Sequence, residues 1–166
     1  AGARVREVAL PPQFSGLAEA QTTIMVREVA QSLAYERLAH REALSPEMTA
    51  MIEAGLAVSP DAYDAAQRLA RACRALLAPL FADVDVLVAP STTGEAPTGI
   101  AATGDPVFNR IWTLLHVPCI HLPLASGPRG LPIGATVVGD LGCDRQTLRA
   151  ADWIHARIGG GRGTGP

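Results

Sequence analysis

The first half of the chain places its apolar residues at helical spacing. A broad apolar stripe over residues 17–41 predicts one long helix. Ser45 and Ser59, each followed by a proline, mark two further helix starts, because a serine hydroxyl caps the first amides and proline fits the first turn. We therefore predict three helices in succession, and the third runs from Ser59 to about Leu80.

Short apolar runs and two-residue alternation predict four strands. Residues 4–10 alternate charged and apolar side chains before a pair of prolines. The β-branched run within residues 83–90 is almost continuously apolar, which favours a strand covered on both faces. Two more strands, at 119–124 and 131–139, lie on either side of a turn rich in glycine and proline, and we expect them to pair.

Two more helices complete the predicted elements. One begins at Asp105 and ends before Pro118, and the last begins at Asp144. The resulting order of helices and strands predicts an α/β fold, with a mixed β-sheet flanked by helices. We assign residues 1–158 to one domain and predict a disordered glycine-rich tail over 159–166.

Composition narrows the classes of partner and compartment. Hydrophobic residues make up 48% of the chain, charged residues 18%, and the formal net charge is −2. Such a balance supports a real core and gives no reason to expect a nucleic-acid or membrane partner. The three cysteines are an odd number and lie far apart, which is not a disulfide framework. We therefore predict a reduced, cytoplasmic protein without metal or other cofactor.

A series of short motifs, in a fixed order, resembles the amidase signature family. Each motif is weak alone, but their order and spacing together are specific. The motifs are residues 61–66 with Arg71, residues 85–90 followed by Ala96 and Pro97, Val117-Pro118, and residues 130–134 followed by Gly139. The resemblance implies the C-terminal part of the amidase signature fold.

Three positions depart from the family pattern. Thr113 and His116 stand where an asparagine and a glycine are usual before the Val-Pro pair. Thr136 replaces the usual glutamine of the glycine-rich strand. The substrate preference of better-known members is therefore not carried over to this chain.

The resemblance implies hydrolysis of carboxylic amides by a Ser-Ser-Lys mechanism. In that family a serine attacks the carbonyl, and a second serine relays its proton to a neutral lysine. This chain contains no lysine, because all 14 of its basic Lys and Arg residues are arginine, and no serine lies in a glycine-rich nucleophile loop. We expect the catalytic residues to lie in an N-terminal half absent from this chain, which would then be inactive alone.

The contribution expected from this chain is part of the wall of the substrate pocket. Binding groups cluster on loops held by rigid elements, and the loop from Ser91 to Gly104 follows a strand end. The predicted substrate-binding residues are Ser91, Thr92, Thr93, Asp105, Phe108 and Trp112. Each also has a structural reading as a turn residue, a helix cap or a core aromatic.

Other functions stay open at this point. Apolar surface left exposed could make the chain a non-enzymatic dimerisation or partner-binding domain, with homo-oligomers as one result. Cys119 could be the nucleophile of an unrelated enzyme, and thiol labelling would test this. His116, Cys119 and His121 lie near one another in sequence, but they fit no zinc spacing, so we predict no metal site.

Overall fold

The computed structural model describes residues 2–100 and 102–159, and it divides the chain into two compact units. One unit is helical and comprises Pro12–Arg74. The other combines the N-terminal segment through Pro11 with the chain from Ala75 onward. Of the tail predicted over 159–166, Gly159 ends the last helix, and residues 160–166 lie outside the described residues. The α/β class is confirmed, since helices accompany a three-stranded sheet.

The helical unit consists of four α-helices and two short 3₁₀ turns. The turns lie at Pro12–Gly16 and Arg41–Ala43, and the helices are α1 (Leu17–Ser32), α2 (Ala34–Ala39), α3 (Pro46–Ala57) and α4 (Pro60–Arg74). The predicted helix over 17–41 is thus interrupted at Leu33, whose backbone has φ −96° and ψ 22°. The apolar spacing continues on both sides of this residue, so periodicity alone does not reveal the break.

Local sequence chemistry accounts for the next two helix starts. The Ser45 hydroxyl accepts a hydrogen bond from the Met48 amide, and the Ser59 hydroxyl accepts one from the Ala62 amide, each at 3.2 Å. Both predicted caps are therefore confirmed. α3 then approaches α1 closely at Gly55, where an added methyl group would overlap the Val26 carbonyl.

The described residues of the second unit form three strands and three helices. They are α5 (Leu77–Phe81), β1 (Leu87–Pro90), α6 (Val107–Leu115), β2 (Cys119–Ser126), β3 (Pro132–Val138) and α7 (Asp144–Gly159). β3 lies in the centre and pairs antiparallel with both neighbours, in the order β1-β3-β2. The described strands therefore form an antiparallel sheet where we expected a mixed one. The third predicted helix is also interrupted, since α4 ends at Arg74 and α5 begins at Leu77.

One predicted strand is absent from the part of the chain that the structure describes, and another is less buried than we predicted. Residues 4–10 form no strand and are mostly exposed, because no described strand supplies the hydrogen bonds that an alternating segment needs. β1 is short, and Val88 is 59% exposed, so this strand is not covered on both faces. Continuous β-branched character raised the strand propensity without fixing how many faces are buried.

The faces of the sheet are defined by its register. On one face Leu122 and Val137 form a core with Ala151 of α7. On the other face His121 of β2 lies directly opposite Thr136 of β3, which in turn lies opposite Ala89 of β1. Among the described residues, no helix is both long and apolar enough to cross a membrane.

Candidate substrate-binding site at the end of β1

Ser91 joins three strands at the point where β1 ends. Its amide donates to the Gly134 carbonyl at 3.1 Å, which continues the ladder one residue past the strand. Its hydroxyl lies 2.8 Å from the Thr136 hydroxyl and 2.7 Å from Nδ1 of His121. Ser91 and Thr136 are each only 4% exposed. These three side chains, which we call the Ser91 cluster, form a hydrogen-bonded chain from the interior to the surface.

His121 is the exposed end of the Ser91 cluster. Its ring lies against the backbone of Gly134, where an added methyl group would overlap the ring and come within 2.5 Å of the Leu122 carbonyl. Glycine at this position therefore allows the imidazole to lie on the sheet. The ring is held at one end by Ser91, while the residue remains exposed to solvent.

The first turns of α6 are tied to the same strand end. The Asn109 side-chain amide donates to the Ser91 carbonyl at 2.9 Å. The Asp105 carboxylate accepts from the Val107 amide at 2.9 Å, which satisfies one of the amides left without a partner at the helix start. The Ser91 backbone is thus fixed from both sides, by β3 and by α6.

Glu95 fastens the loop that follows Ser91 to the turn between β2 and β3. Its carboxylate accepts from the amides of Arg129 and Leu131 at 3.0 Å, and from Arg129 Nε at 2.9 Å. Arg129 also donates to the Thr98 hydroxyl at 2.9 Å and to the Ala96 carbonyl at 2.8 Å. The Glu95 side chain is only 4% exposed, whereas that of Arg129 is half exposed.

Opposing effects act on the pKa of Glu95. Burial of the carboxylate raises its pKa, while the hydrogen bonds from the Arg129 side chain and from the two backbone amides, with the Arg129 charge, lower it. The net result is a pKa below the ordinary value of 4.5. The carboxylate is therefore charged at neutral pH and keeps these contacts.

The structure brings some of the predicted binding residues together and separates others. Ser91 lies in the cluster, whereas Thr92 and Thr93 are exposed, and the Thr92 hydroxyl bonds back to the Gly94 carbonyl at 2.6 Å. Asp105 caps α6 from an exposed position. Phe108 is half-buried.

Trp112 is the buried aromatic of this set. It is only 4% exposed, and its indole Nε1 has no hydrogen-bond partner among the described residues. A buried N–H of this kind costs free energy when it is left unpaired. The binding roles of all six residues remain predictions.

Sequence patterns offered little reason to select His121, Thr136 and Asn109. Thr136 stood out only as a departure from the family glutamine, and His121 only as a neighbour of Cys119. Both belong to the site because the register of β2 and β3 sets them opposite each other. That register depends on non-local pairing, which a single sequence does not specify.

Cys119 has poor properties for a nucleophile. Burial raises the pKa of its thiol above the ordinary value of 9.0, although the residue as a whole is exposed. A raised pKa disfavours the reactive thiolate. Within the described ranges no three His, Cys, Asp or Glu side chains cluster where they could hold a metal ion.

Comparison with solved structures identifies the architecture. The crystal structure of an amidase matches with a TM-score of 0.84 and 31% sequence identity, covering 94% of this chain and 38% of that chain. A 6-aminohexanoate cyclic dimer hydrolase matches with a TM-score of 0.70 over 92% of this chain and 37% of its own. Its 18% identity indicates a common fold alone.

Comparison by sequence gives the same family. A region of 84 residues is 30% identical to the A subunit of the mitochondrial glutamyl-tRNA(Gln) amidotransferases of Homo sapiens and Mus musculus. The alignment covers 45% of this chain and 16% of those relatives, so the chain matches only a small part of their length. The family model described as Amidase matches residues 1–148. The resemblance carried by the ordered motifs is thereby confirmed, and the chain belongs to the amidase signature family.

Proposed function

We propose that this chain is the C-terminal portion of an enzyme that hydrolyses carboxylic amides of small molecules. The family membership supports the reaction class. The sequence contains no lysine, and this observation supports placing the catalytic groups in another part of the enzyme. The family mechanism needs a neutral lysine as the proton acceptor for a nucleophilic serine, and arginine is too basic to replace it.

Three serines of the chain already have structural partners for their hydroxyls. Ser91 is the serine with an imidazole partner, but its hydroxyl is buried and already bonded to Thr136 and His121. Ser45 and Ser59 cap helices. We therefore assign the nucleophile, the second serine and the lysine to an N-terminal half, and we expect no turnover from this chain alone.

In this proposal the end of β1 forms one wall of the substrate pocket. The loop from Ser91 is held by Asn109 at its start and by Glu95 further along, so its backbone is preorganised without a ligand. Ser91, Thr92, Thr93, Asp105, Phe108 and Trp112 remain our candidates for substrate contact, and His121 joins them.

A chimera tests the proposal directly. The part of the solved amidase that precedes the matched region would be joined to this chain, and hydrolysis of benzamide would be followed by ammonia release. We expect turnover from the chimera and none from the version whose catalytic lysine is replaced by methionine. A folded chimera without turnover would argue against the proposal.

The alternative function, a dimerisation or partner-binding domain, is supported by exposed apolar side chains in the second unit. Val88 is 59% exposed, Leu124 36% and Leu131 38%. Light scattering after size exclusion distinguishes the two functions, because a stable dimer supports the assembly domain and homo-oligomer, whereas a monomer at all concentrations removes them.

We also retain the cytoplasmic location as part of the proposal. Cys73, Cys119 and Cys143 are all free thiols, as expected in a reducing compartment. The mitochondrial designation belongs to the curated relatives.

A further inference from the structure

The protons of the Ser91 cluster can be placed by counting donors and acceptors. A hydroxyl has one proton to give and can accept two, whereas each ring nitrogen of a neutral imidazole either donates or accepts. The Ser91 hydroxyl contacts both Thr136 and His121, and the hydroxyl of Thr136 contacts that of Ser91. Nδ1 of His121 therefore either accepts the Ser91 proton or carries a proton of its own and donates it to Ser91.

Only one arrangement satisfies every buried proton. If Thr136 donates to Ser91, then Ser91 donates to Nδ1 of His121, and both buried hydroxyl protons have an acceptor. If instead Nδ1 carries the proton and donates to Ser91, the two hydroxyls have only each other as acceptors, so only one of their two protons can be bonded. The other hydroxyl proton would then be buried without an acceptor among the described residues, which is unfavourable.

We propose that Ser91, which accepts the Thr136 proton and donates its own to Nδ1, fixes His121 as the Nε2–H tautomer, and that Nε2 is a hydrogen-bond donor for a carbonyl or carboxylate oxygen of a small ligand. The tautomer follows from the cluster alone. The ligand class rests on the proposed amidase function, because an amide offers a carbonyl oxygen and its hydrolysis product offers a carboxylate.

The surroundings of Nε2 suit this role. Nε2 has no hydrogen-bond partner within the ranges that the structure describes, and His121 is exposed. A methyl group on Gly134 would lie 2.7 Å from Nε2, so the glycine lets the ring lie this close to β3. The ring itself is fixed, because Ser91 holds Nδ1 at 2.7 Å and the Gly134 backbone lies beneath it.

Nitrogen NMR of this chain, labelled with ¹⁵N at its histidines, tests the tautomer. At a pH where the imidazole is neutral, we expect His121 to give the spectrum of a single Nε2–H tautomer. His155, exposed on α7, serves as the internal reference for a solvated ring. A His121 ring protonated at Nδ1 would overturn the proposal without the need for any variant.

Two variants separate the roles of the hydroxyls. Ser91→Ala removes the donor to Nδ1, so we expect His121 to become a tautomer mixture like that of His155. Thr136→Val leaves the Ser91 proton available for Nδ1, so the single tautomer should persist. If Ser91→Ala leaves the His121 spectrum unchanged, Ser91 does not set the tautomer.

The ligand class is tested by titrating the same labelled chain with acetamide and, separately, with acetate. A saturable shift of His121 Nε2 with acetamide supports carbonyl binding, and one with acetate supports carboxylate binding. No shift with either probe overturns the ligand assignment. These spectra require no turnover, so their failure is distinct from failure of the chimera to hydrolyse amides.

Discussion

At the scale of single residues, His116 and Thr136 occupy positions where the family pattern has a glycine and a glutamine. His116 ends α6 in the left-handed conformation, with φ 60° and ψ 30°. Thr136 is buried and gives the Ser91 cluster a short hydroxyl in place of a long amide. The backbone at His116 is therefore strained. The Thr136 hydroxyl adds one proton to the Ser91 cluster.

Replacing His116 by glycine should raise the free energy of unfolding by about 1 kcal/mol, because a Cβ is unfavourable in the left-handed region. Thr113→Gly on the exposed side of the same helix is the matched control, and it should lower stability by about 1 kcal/mol. Urea unfolding of both variants checks the opposite signs. A less stable His116→Gly protein would contradict the strain.

Replacing Thr136 by valine should lower the free energy of unfolding by about 1 kcal/mol, since it removes one buried hydrogen bond while keeping the side-chain shape. Thr92→Val removes an exposed hydroxyl from the adjoining loop and should change stability by less than about 0.5 kcal/mol. Equal effects of the two substitutions in urea titrations would argue against a tightly bonded cluster.

At the scale of elements, the sequence predicted the helix starts, which depend on local hydrogen bonds. It did not predict the register in which the strands pair, because pairing joins residues that are distant in sequence. Ser45 and Ser59 were recognisable as helix caps because each hydroxyl bonds to an amide three residues away. Ser91 was selected because it follows a strand end. Whether residues 4–10 form a strand, and whether His121 lies opposite Thr136, both depend on partners distant in sequence. Alternation of apolar and polar residues alone could not decide either point.

The contact between α1 and α3 gives a prediction with a counterintuitive sign. Helix propensity favours alanine over glycine by about 1 kcal/mol, yet Gly55→Ala should lower stability by about 1–3 kcal/mol, because the methyl group would overlap the Val26 carbonyl. Ala54→Gly, at the exposed neighbouring position, is the control and should cost about 1 kcal/mol. Thermal and urea unfolding measure both, and a stabilised Gly55→Ala protein would contradict the close packing of these helices.

The contacts of Glu95 with Arg129 and Leu131 give a pH-dependent prediction. Because the folded state lowers the pKa of Glu95, its stabilising contribution is full above the ordinary value of 4.5 and is lost as the pH falls through the lowered pKa. Glu95→Gln should therefore be less stable than the unmodified chain at neutral pH, and the difference should shrink in acid.

Urea unfolding at several pH values measures this difference. Glu53→Gln is the control, since its ion pair with Arg41 is exposed and should contribute little. Hydrogen exchange of the Arg129 and Leu131 amides should accelerate in Glu95→Gln alone. A stability difference that grows as the pH falls would contradict the expected sign of the pKa shift.

At the scale of the whole molecule, we propose that the chain supplies a binding surface, while the catalytic groups lie in another part of the enzyme. The matched amidase structure is covered over only 38% of its length. In this proposal the substrate is positioned by the sheet, the Ser91 cluster and the loop that Glu95 holds. A neutral amine to accept a proton from a nucleophilic hydroxyl is lacking, because the sequence contains no lysine.

The most direct test of this division is an assay of the purified chain alone against acetamide and benzamide, with ammonia release as the readout. We predict no hydrolysis above the rate in buffer, for the unmodified chain and for Ser91→Ala and Cys119→Ser alike. Turnover by the unmodified chain that disappears in Ser91→Ala or in Cys119→Ser would contradict our account, because the catalytic group would then lie within these 166 residues.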